Sequence, residues 1–329
     1  MATIQTVNGP IDTSELGFTS MHEHFMYGFP GHQFDISVDC FKEGRDLPIL
    51  IEEAKLFKAL GYNTIVDCTA TDCGRNHLLL KKISEAANIN IICVSGWYAE
   101  MYSASFYWMG RASMGADIDK EIYDMFVTEL TEGIGFTDIK AGLMKVSSSF
   151  NRITDYELVF MKAAARVSKD LGHPVTTHAD GSTMGLEQAQ TLIEYGASPE
   201  NILIGHMCGS TNVDYLKRIL ALGVNLGFDR FGIEGFDLMQ TPTDKERIAT
   251  LTGLLKDGYA DQIMVGHDTV KIDLGRPFQL SPAAQAFKDR TTPRIFTEHV
   301  VPQLLENGVP QSDIDKLTRY NPARFLSQA

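Results

Sequence analysis

The sequence predicts an α/β protein and, within that class, a (β/α)8 TIM barrel with long loops after strands 3 and 8. Short apolar runs rich in β-branched residues alternate with amphipathic stretches along the chain, the pattern of repeated β-α units around a parallel sheet. Eight of these runs qualify as strands, the number that closes such a barrel. No linker or low-complexity tract interrupts the pattern, so residues 1–329 are expected to form a single domain.

In chain order the strand candidates are LGFTSM (16–21), NTIVDCT (63–69), INIICVSG (89–96), IKAGLMKV (139–146), HPVTTH (173–178), NILIGH (201–206), GVNLGFD (223–229) and QIMVGHD (262–268). Between them lie helix candidates that stop at glycine. LPILIEEAKLFKAL precedes Gly61, DYELVFMKAAARVSKDL precedes Gly172, LEQAQTLIEY precedes Gly196, VDYLKRILAL leads to Gly223, and KERIATLTGLLKD precedes Gly258. Glycine just past a helix takes the conformation that turns the chain back to the sheet. The last long helix, PRIFTEHVVPQLLEN before Gly308, contains Pro302, which should kink or break it. Two connections are unusually long: GWYAEMYSASFYWMGRASMGADI after the third strand and TVKIDLGRPFQLSPAAQAFKDRTT after the eighth. Long loops in a compact domain usually serve binding, and both would lie at the same end of the barrel.

The chain carries 29 Lys+Arg against 42 Asp+Glu, a formal net charge of -13, with no basic run. That balance argues against nucleic acid or an anionic membrane as the main partner. The opening MATIQTVNGP has neither the basic nor the apolar region of a signal peptide, and no later stretch is apolar for long enough to span a bilayer. A cytoplasmic location is therefore expected. The five cysteines, Cys40, Cys68, Cys73, Cys93 and Cys208, form no C-x-x-C pair and suit reduced thiols better than a disulfide framework. Cys208 follows His206 by two residues, yet a small buried hydrophobe is the stronger reading than a thiolate ligand.

The chemistry concentrates where strands end. His22-Glu23-His24 follows the first strand, and on a strand two histidines separated by one residue share a face while Glu23 points elsewhere. Lys145 lies on the fourth strand, His178 ends the fifth, His206 the sixth and Asp268 the eighth. In a closed barrel these ends converge on one mouth, where active sites of this architecture are built. Taken singly, each residue has a structural explanation: a satisfied polar side chain, a helix cap or an ion pair. Together at one rim they point to a metal site. Imidazoles and a carboxylate suit zinc-like ions, with cobalt, manganese or iron as alternatives. An ammonium would repel such ions. Lys145 must lose its proton to join them, and addition of carbon dioxide would give a carbamate with one anionic oxygen for each of two metals.

The ordered set H-E-H, the strand-four lysine, T-H-A-D, I-G-H, G-H-D and the closing N-P-A-R-F-L resembles the phosphotriesterase family of the amidohydrolase superfamily. The resemblance implies two divalent metal ions per chain. It implies that His22, His24 and Asp268 hold the buried ion and that His178 and His206 hold the more exposed one. Carboxylated Lys145 and a hydroxide would bridge the two. Asp268 would then move the proton, and the exposed ion would polarise a carbonyl or phosphoryl oxygen. His267 is expected to face away on a regular strand, as packing or as support behind the ligands. A homodimer is expected by the same likeness.

Tyr98 in GWYAEMY and Arg230 in FDRFG resemble the tyrosine and arginine bordering the metals of phosphotriesterase-like lactonases, a likeness that makes an acyl-homoserine or other apolar lactone the first substrate choice. The alternative explanations are an aromatic cap for Tyr98 and, for Arg230, a salt bridge to Asp229 or Glu234. Lys271 and Arg276 offer a second reading, a clamp for an anionic group as in the family's sugar-lactone phosphate hydrolases, and a carboxylester hydrolase of the same family is a further alternative. Promiscuous phosphotriester hydrolysis is a secondary expectation. A mononuclear deaminase has no need of Lys145, and a catalytically idle scaffold has no need of the full ligand set.

Overall fold

The computed structural model describes residues 3–37, 41–102, 106–234 and 241–327. Cys40 and residues 103–105 of the loop after the third strand lie outside them. An antiparallel hairpin of β1 (Thr3–Thr6) and β2 (Gly9–Asp12) comes first. It stands apart from the eight strands that the sequence predicts. Those eight are β3 (Thr19–Tyr27), β4 (Thr64–Asp67), β5 (Asn90–Gly96), β6 (Leu143–Ser148), β7 (Val175–Ala179), β8 (Ile202–Ile204), β9 (Asn225–Phe228) and β10 (Ile263–Val265). Each pairs in parallel with the next, and β11 (Val270–Asp273) pairs in parallel with β3. This is the (β/α)8 barrel fold.

The seam between the first and last barrel strands places the site. β10 and β11 follow one path broken at residues 266–269. Across the break Gly266 N–H donates to the Phe228 carbonyl at 3.3 Å, Asp268 N–H to that of His22 at 2.9 Å, and His24 N–H to that of Thr269 at 2.8 Å. The interruption itself therefore stitches the eighth strand to both neighbours.

The helices are α1 (Glu43–Ala59), α2 (His77–Ala87), α3 (Phe106–Ser113), α4 (Ile118–Thr131), α5 (Asp155–Leu171), α6 (Gly185–Glu194), α7 (Val213–Leu220), α8 (Asp244–Lys256), α9 (Pro282–Arg290), α10 (Val301–Glu306), α11 (Gln311–Asp315) and α12 (Asn321–Leu326). α5 shows how sequence sets the bounds. Thr154 and Glu157 form a reciprocal capping box at its start, Gly172 ends it at φ 75°, and Tyr156, Phe160, Met161 and Val167 are buried along it. Pro302 acts as expected. A π-turn over Phe296–Val300 precedes α10, whose first turn tolerates the missing N–H. Among the described residues of the two long loops, α3 lies in the first, and β11 and α9 lie in the second.

The core has two layers. One lies between strands and helices; the other, inside the barrel, gathers Met21, Val66, Ile92, Val94, Leu143, Leu203 and Met264 with Ile4 and Leu16 from the N-terminal segment and Phe325 and Leu326 from α12. Asn321 helps to seat α12 by donating to the carbonyls of Ala260 and Ile263 at 2.7 and 2.8 Å, which gives the N-P-A-R-F-L motif a structural task. Among the described residues no helix is long and apolar enough to cross a membrane.

Candidate metal centre

The first barrel strand runs to Tyr27, so His22 and His24 lie within it and not, as the sequence suggests, after its end. Their polar side chains hide the strand's continuation from a reading of apolar runs. A bulge between Ser20 and Glu23 shifts the register with β4. Met21 thus joins the inner apolar layer while His22 also faces the barrel interior. His24 is oriented by Thr69, whose hydroxyl donates to the Met26 carbonyl at 3.0 Å and so accepts from His24 Nδ1 at 2.8 Å. The lone pair of His24 Nε2 is left facing Asp268 Oδ1 at 3.1 Å.

His22 Nε2 lies 3.6 Å from the same Asp268 oxygen and 3.1 Å from Lys145 Nζ. Lys145 is buried on β6, and its amine also donates to the Cys68 carbonyl at 2.9 Å. On the far side His206 Nε2 meets His178 Nδ1 at 2.9 Å. The structure thus brings His22, His24, Lys145, His178, His206 and Asp268 to one rim.

His206 and Asp268 both have left-handed backbone, at φ 62° and 55°. Each is held by a carboxylate that the sequence does not single out. Asp229 accepts the His206 backbone N–H at 2.9 Å and its ring Nδ1 at 3.0 Å. Glu23, turned away from the mouth as its place in H-E-H requires, accepts the backbone N–H groups of His267 and Thr269, both at 3.0 Å. It thereby grips the turn on either side of Asp268. His267 faces the same way, paired to Glu23 and 3.0 Å from the Tyr62 hydroxyl, so of the two roles expected for it, packing or support behind the ligands, these bonds favour support. The glycine of I-G-H has a steric cause too: a Cβ on Gly205 would lie 2.1 Å from the Thr177 carbonyl oxygen.

Electrostatics prepare these side chains as ligands. Burial, then Lys145, pushes His22 down to about 3; burial, then His206, holds His178 well below the usual range; burial, then Arg230, lowers His206. Burial alone would raise Asp268, but Arg230, His206 and His22 outweigh it and hold the carboxyl well below its usual range. Neutral imidazoles beside an ionised carboxylate form the donor set that binds a divalent cation. Donor atoms of His22, His24 and Asp268 lie within 4.8 Å of one another, as do those of His22, His206 and Asp229. In the second group Asp229 faces Nδ1 of both rings, the side away from Lys145 and His178, so it stands behind the ligands.

Tyr98 places its hydroxyl 3.4 Å from His178 Nε2, and Arg230 donates Nε–H to Asp268 Oδ2 at 2.8 Å; the Arg230 partner is thus neither Asp229 nor Glu234. Lys271 pairs with Glu53, and Arg276 with Asp35. Cys208 is buried, with its thiol pushed up to about 11 by burial, and lies in neither donor group. Asp229 had one sequence signal, its place at the end of the seventh strand.

The sequence pattern of the phosphotriesterase family matches residues 2–326. An aryldialkylphosphatase of Saccharolobus solfataricus is 34% identical over 324 residues, covering 96% of this chain and 97% of that protein. An N-acetyltaurine hydrolase of Xenopus tropicalis is 28% identical over 359 residues, with 98% and 97% covered. The solved structure of an organophosphorus hydrolase from Deinococcus radiodurans superposes with a TM-score of 0.95 at 40% identity, covering 98% of this chain and 96% of that one. A structure from the engineering of organophosphate hydrolysis on a weak promiscuous lactonase template gives the same score and identity, with 98% and 99% covered. A barrel with metal-binding His/Asp groups at its mouth, matched along nearly its whole length, makes this chain a hydrolase of the phosphotriesterase family.

Proposed function

We propose that the protein is a dinuclear metal-dependent lactonase, a single barrel domain that opens uncharged lactones with apolar tails, acyl-homoserine lactones among them. The observation that carries this reading is an aromatic strip leading outward from the histidines. Tyr27 lies 5.6 Å from His24 and Tyr98 4.8 Å from His178, ring centre to ring centre. Tyr98 stacks on Tyr102 at 5.1 Å, and Phe29 links Tyr102 at 5.7 Å to Phe278 at 6.5 Å. Phe29 and Phe278 are about half exposed, at 46% and 56%. Such a wall suits an acyl tail. The loop cations offered for an anionic substrate, Lys271 and Arg276, are instead engaged by Glu53 and Asp35, which weighs against a phosphorylated sugar lactone.

In this reading His22, His24 and Asp268 would hold one ion and His178 and His206 the other, with Lys145, as its carbamate, a further ligand. The donor set fits. Lys145 Nζ is buried against an imidazole and a carbonyl, and among the described residues no carboxylate pairs with it to neutralise an ammonium. When bound, the ions, zinc foremost, would supply Lewis acidity and a nucleophile drawn from water near neutral pH. Ring opening adds water across the ester C–O bond: the acyl carbon gains the hydroxyl, and the ring oxygen leaves with a proton. Asp268 takes up that proton and delivers it to the leaving oxygen. Burial raises the Tyr98 hydroxyl well above its usual range, so it remains a donor for the substrate's carbonyl oxygen. Arg230 sets a fixed positive charge where charge develops on that oxygen.

Phosphotriester hydrolysis is a side activity in this reading. A tetrahedral phosphoryl centre resembles the tetrahedral intermediate of lactone opening, and relatives of this chain carry the names aryldialkylphosphatase and organophosphorus hydrolase. A substrate panel on zinc- or cobalt-reconstituted protein tests the proposal. Apolar lactones should show the highest kcat/KM, above paraoxon-type esters and phosphorylated sugar lactones. Preference for either of the latter would overturn it.

A further inference from the structure

We infer that Asp229 is a positioning residue shared by both halves of the centre, one carboxylate that turns the rings of His22 and His206 so that both Nε2 atoms face the other ligands. The inference rests on the dinuclear reading above. Asp229 follows β9 and is buried, at 2% exposure. Its Oδ1 accepts from His206 Nδ1 at 3.0 Å, both its oxygens accept from the His206 backbone N–H at 2.9 and 3.2 Å, and its Oδ2 lies 3.4 Å from His22 Nδ1.

Both oxygens already serve as acceptors, so a ring nitrogen facing them takes the donor role and carries the proton. The lone pair then falls on Nε2. In His206 that atom faces His178 Nδ1, and in His22 it faces Lys145 and Asp268. The two rings lie 4.7 Å apart, close enough for a single carboxylate to serve both. His22 Nδ1 is otherwise a buried nitrogen without a hydrogen bond, which leaves Asp229 Oδ2, 3.4 Å away, as the acceptor that faces it. The surrounding chain keeps a socket for this group. A Cβ on Gly227 would come 2.5 Å from Asp229 Oδ2, one on Gly205 3.4 Å from it, and one on Gly266 3.2 Å from Asp229 Cβ.

Partners behind ligand histidines fix the tautomer and ring angle, and their loss typically lowers metal affinity by about 10–100-fold. Because Asp229 stands behind one ligand of each ion, its removal should weaken both sites together. Loss of a carboxylate behind a single histidine would weaken one.

The test combines imidazole nitrogen NMR with zinc titration against a chromogenic chelator, on wild type, Asp229→Asn and Asp229→Glu. Wild-type His22 and His206 should both carry their proton on Nδ1. The Asn variant should keep the wild-type circular dichroism while its two zinc affinities fall together by about 10–100-fold, and Glu should recover part of the loss. An Nε2 proton on either wild-type ring overturns the inference, and so does an Asn variant that loses one site alone or neither. If the variants do not fold, the wild-type tautomers decide. Failure of the wild type to bind zinc would sink the dinuclear reading, whereas two bound ions with the wrong tautomers would sink only the role of Asp229.

Discussion

Arg230 Nε lies 2.8 Å from Asp268 Oδ2, while the other oxygen of that carboxylate is 3.1 Å from His24 Nε2. One side chain is thus shared between a guanidinium and an imidazole. Arg230→Ala leaves the four histidine rings and Lys145 in place but removes the fixed charge beside the reacting oxygen. Lactone kcat/KM should fall by about 10²–10³ with zinc content retained. An equal loss of zinc would mean that Arg230 chiefly holds Asp268 in place.

Lys145 is the donor whose free form fits the site least. Lys145→Ala should lower metal content and hydrolysis sharply, and added acetate or propionate should restore part of both by supplying a carboxylate where the carbamate stood. Metal analysis with and without the short acid checks this. Full metal content in the variant would exclude the bridge.

Glu23 bears on stability and on the site at once. In Glu23→Gln one oxygen becomes an NH2 group that must face the N–H of either His267 or Thr269. The variant should lose about 2–4 kcal/mol in urea unfolding of the metal-free protein. It should also bind metal more weakly, because the turn presenting Asp268 loses its grip. Unchanged unfolding would show that the clamp is dispensable.

Asp72 gives a pH signature. Burial is the main cause that pushes its carboxyl up to about 6, against the 3.8 of an ordinary aspartate, although it accepts the Tyr98 backbone N–H at 3.1 Å. Between those two values the folded protein holds a proton that the unfolded chain has released, so this group's contribution to stability falls as pH rises and is lowest above about 6. Asp72→Asn should therefore stabilise the protein at pH 8 by about 1–3 kcal/mol and have little effect at pH 4. Paired denaturation curves measure the difference. A variant destabilised equally at both pH values would contradict the sign.

The ligand-type residues were legible because each sits on or just past a short apolar run, and strand ends of a closed barrel share a rim. The supporting groups were not. Thr69, Asp229 and Glu23 act through partners 45, 23 and 244 residues away, and nothing in their own neighbourhood announces the pairing. The first strand's true length was hidden because His22, Glu23 and His24 end the apolar run although all three are buried. The opening hairpin left a signal in Asn8-Gly9, at its reversal, but TIQT and GPID lack the apolar alternation that marks a strand. α3 and α9 are short helices inside what reads as loop, where aromatic and proline-rich composition masks helical spacing.

His24 and Asp268 are 244 residues apart in sequence yet meet across the seam where the last barrel strand anneals to the first. During folding the centre is therefore finished late, after a long loop closure, and no partly built barrel offers the complete donor set. Cations gripped from both sides of that seam would bind only the closed ring and so stabilise closure by mass action, like a buckle on a belt. Chelation should then loosen this junction before any other, with amide exchange rising first along β3 and β11 while β6 and β7 stay protected.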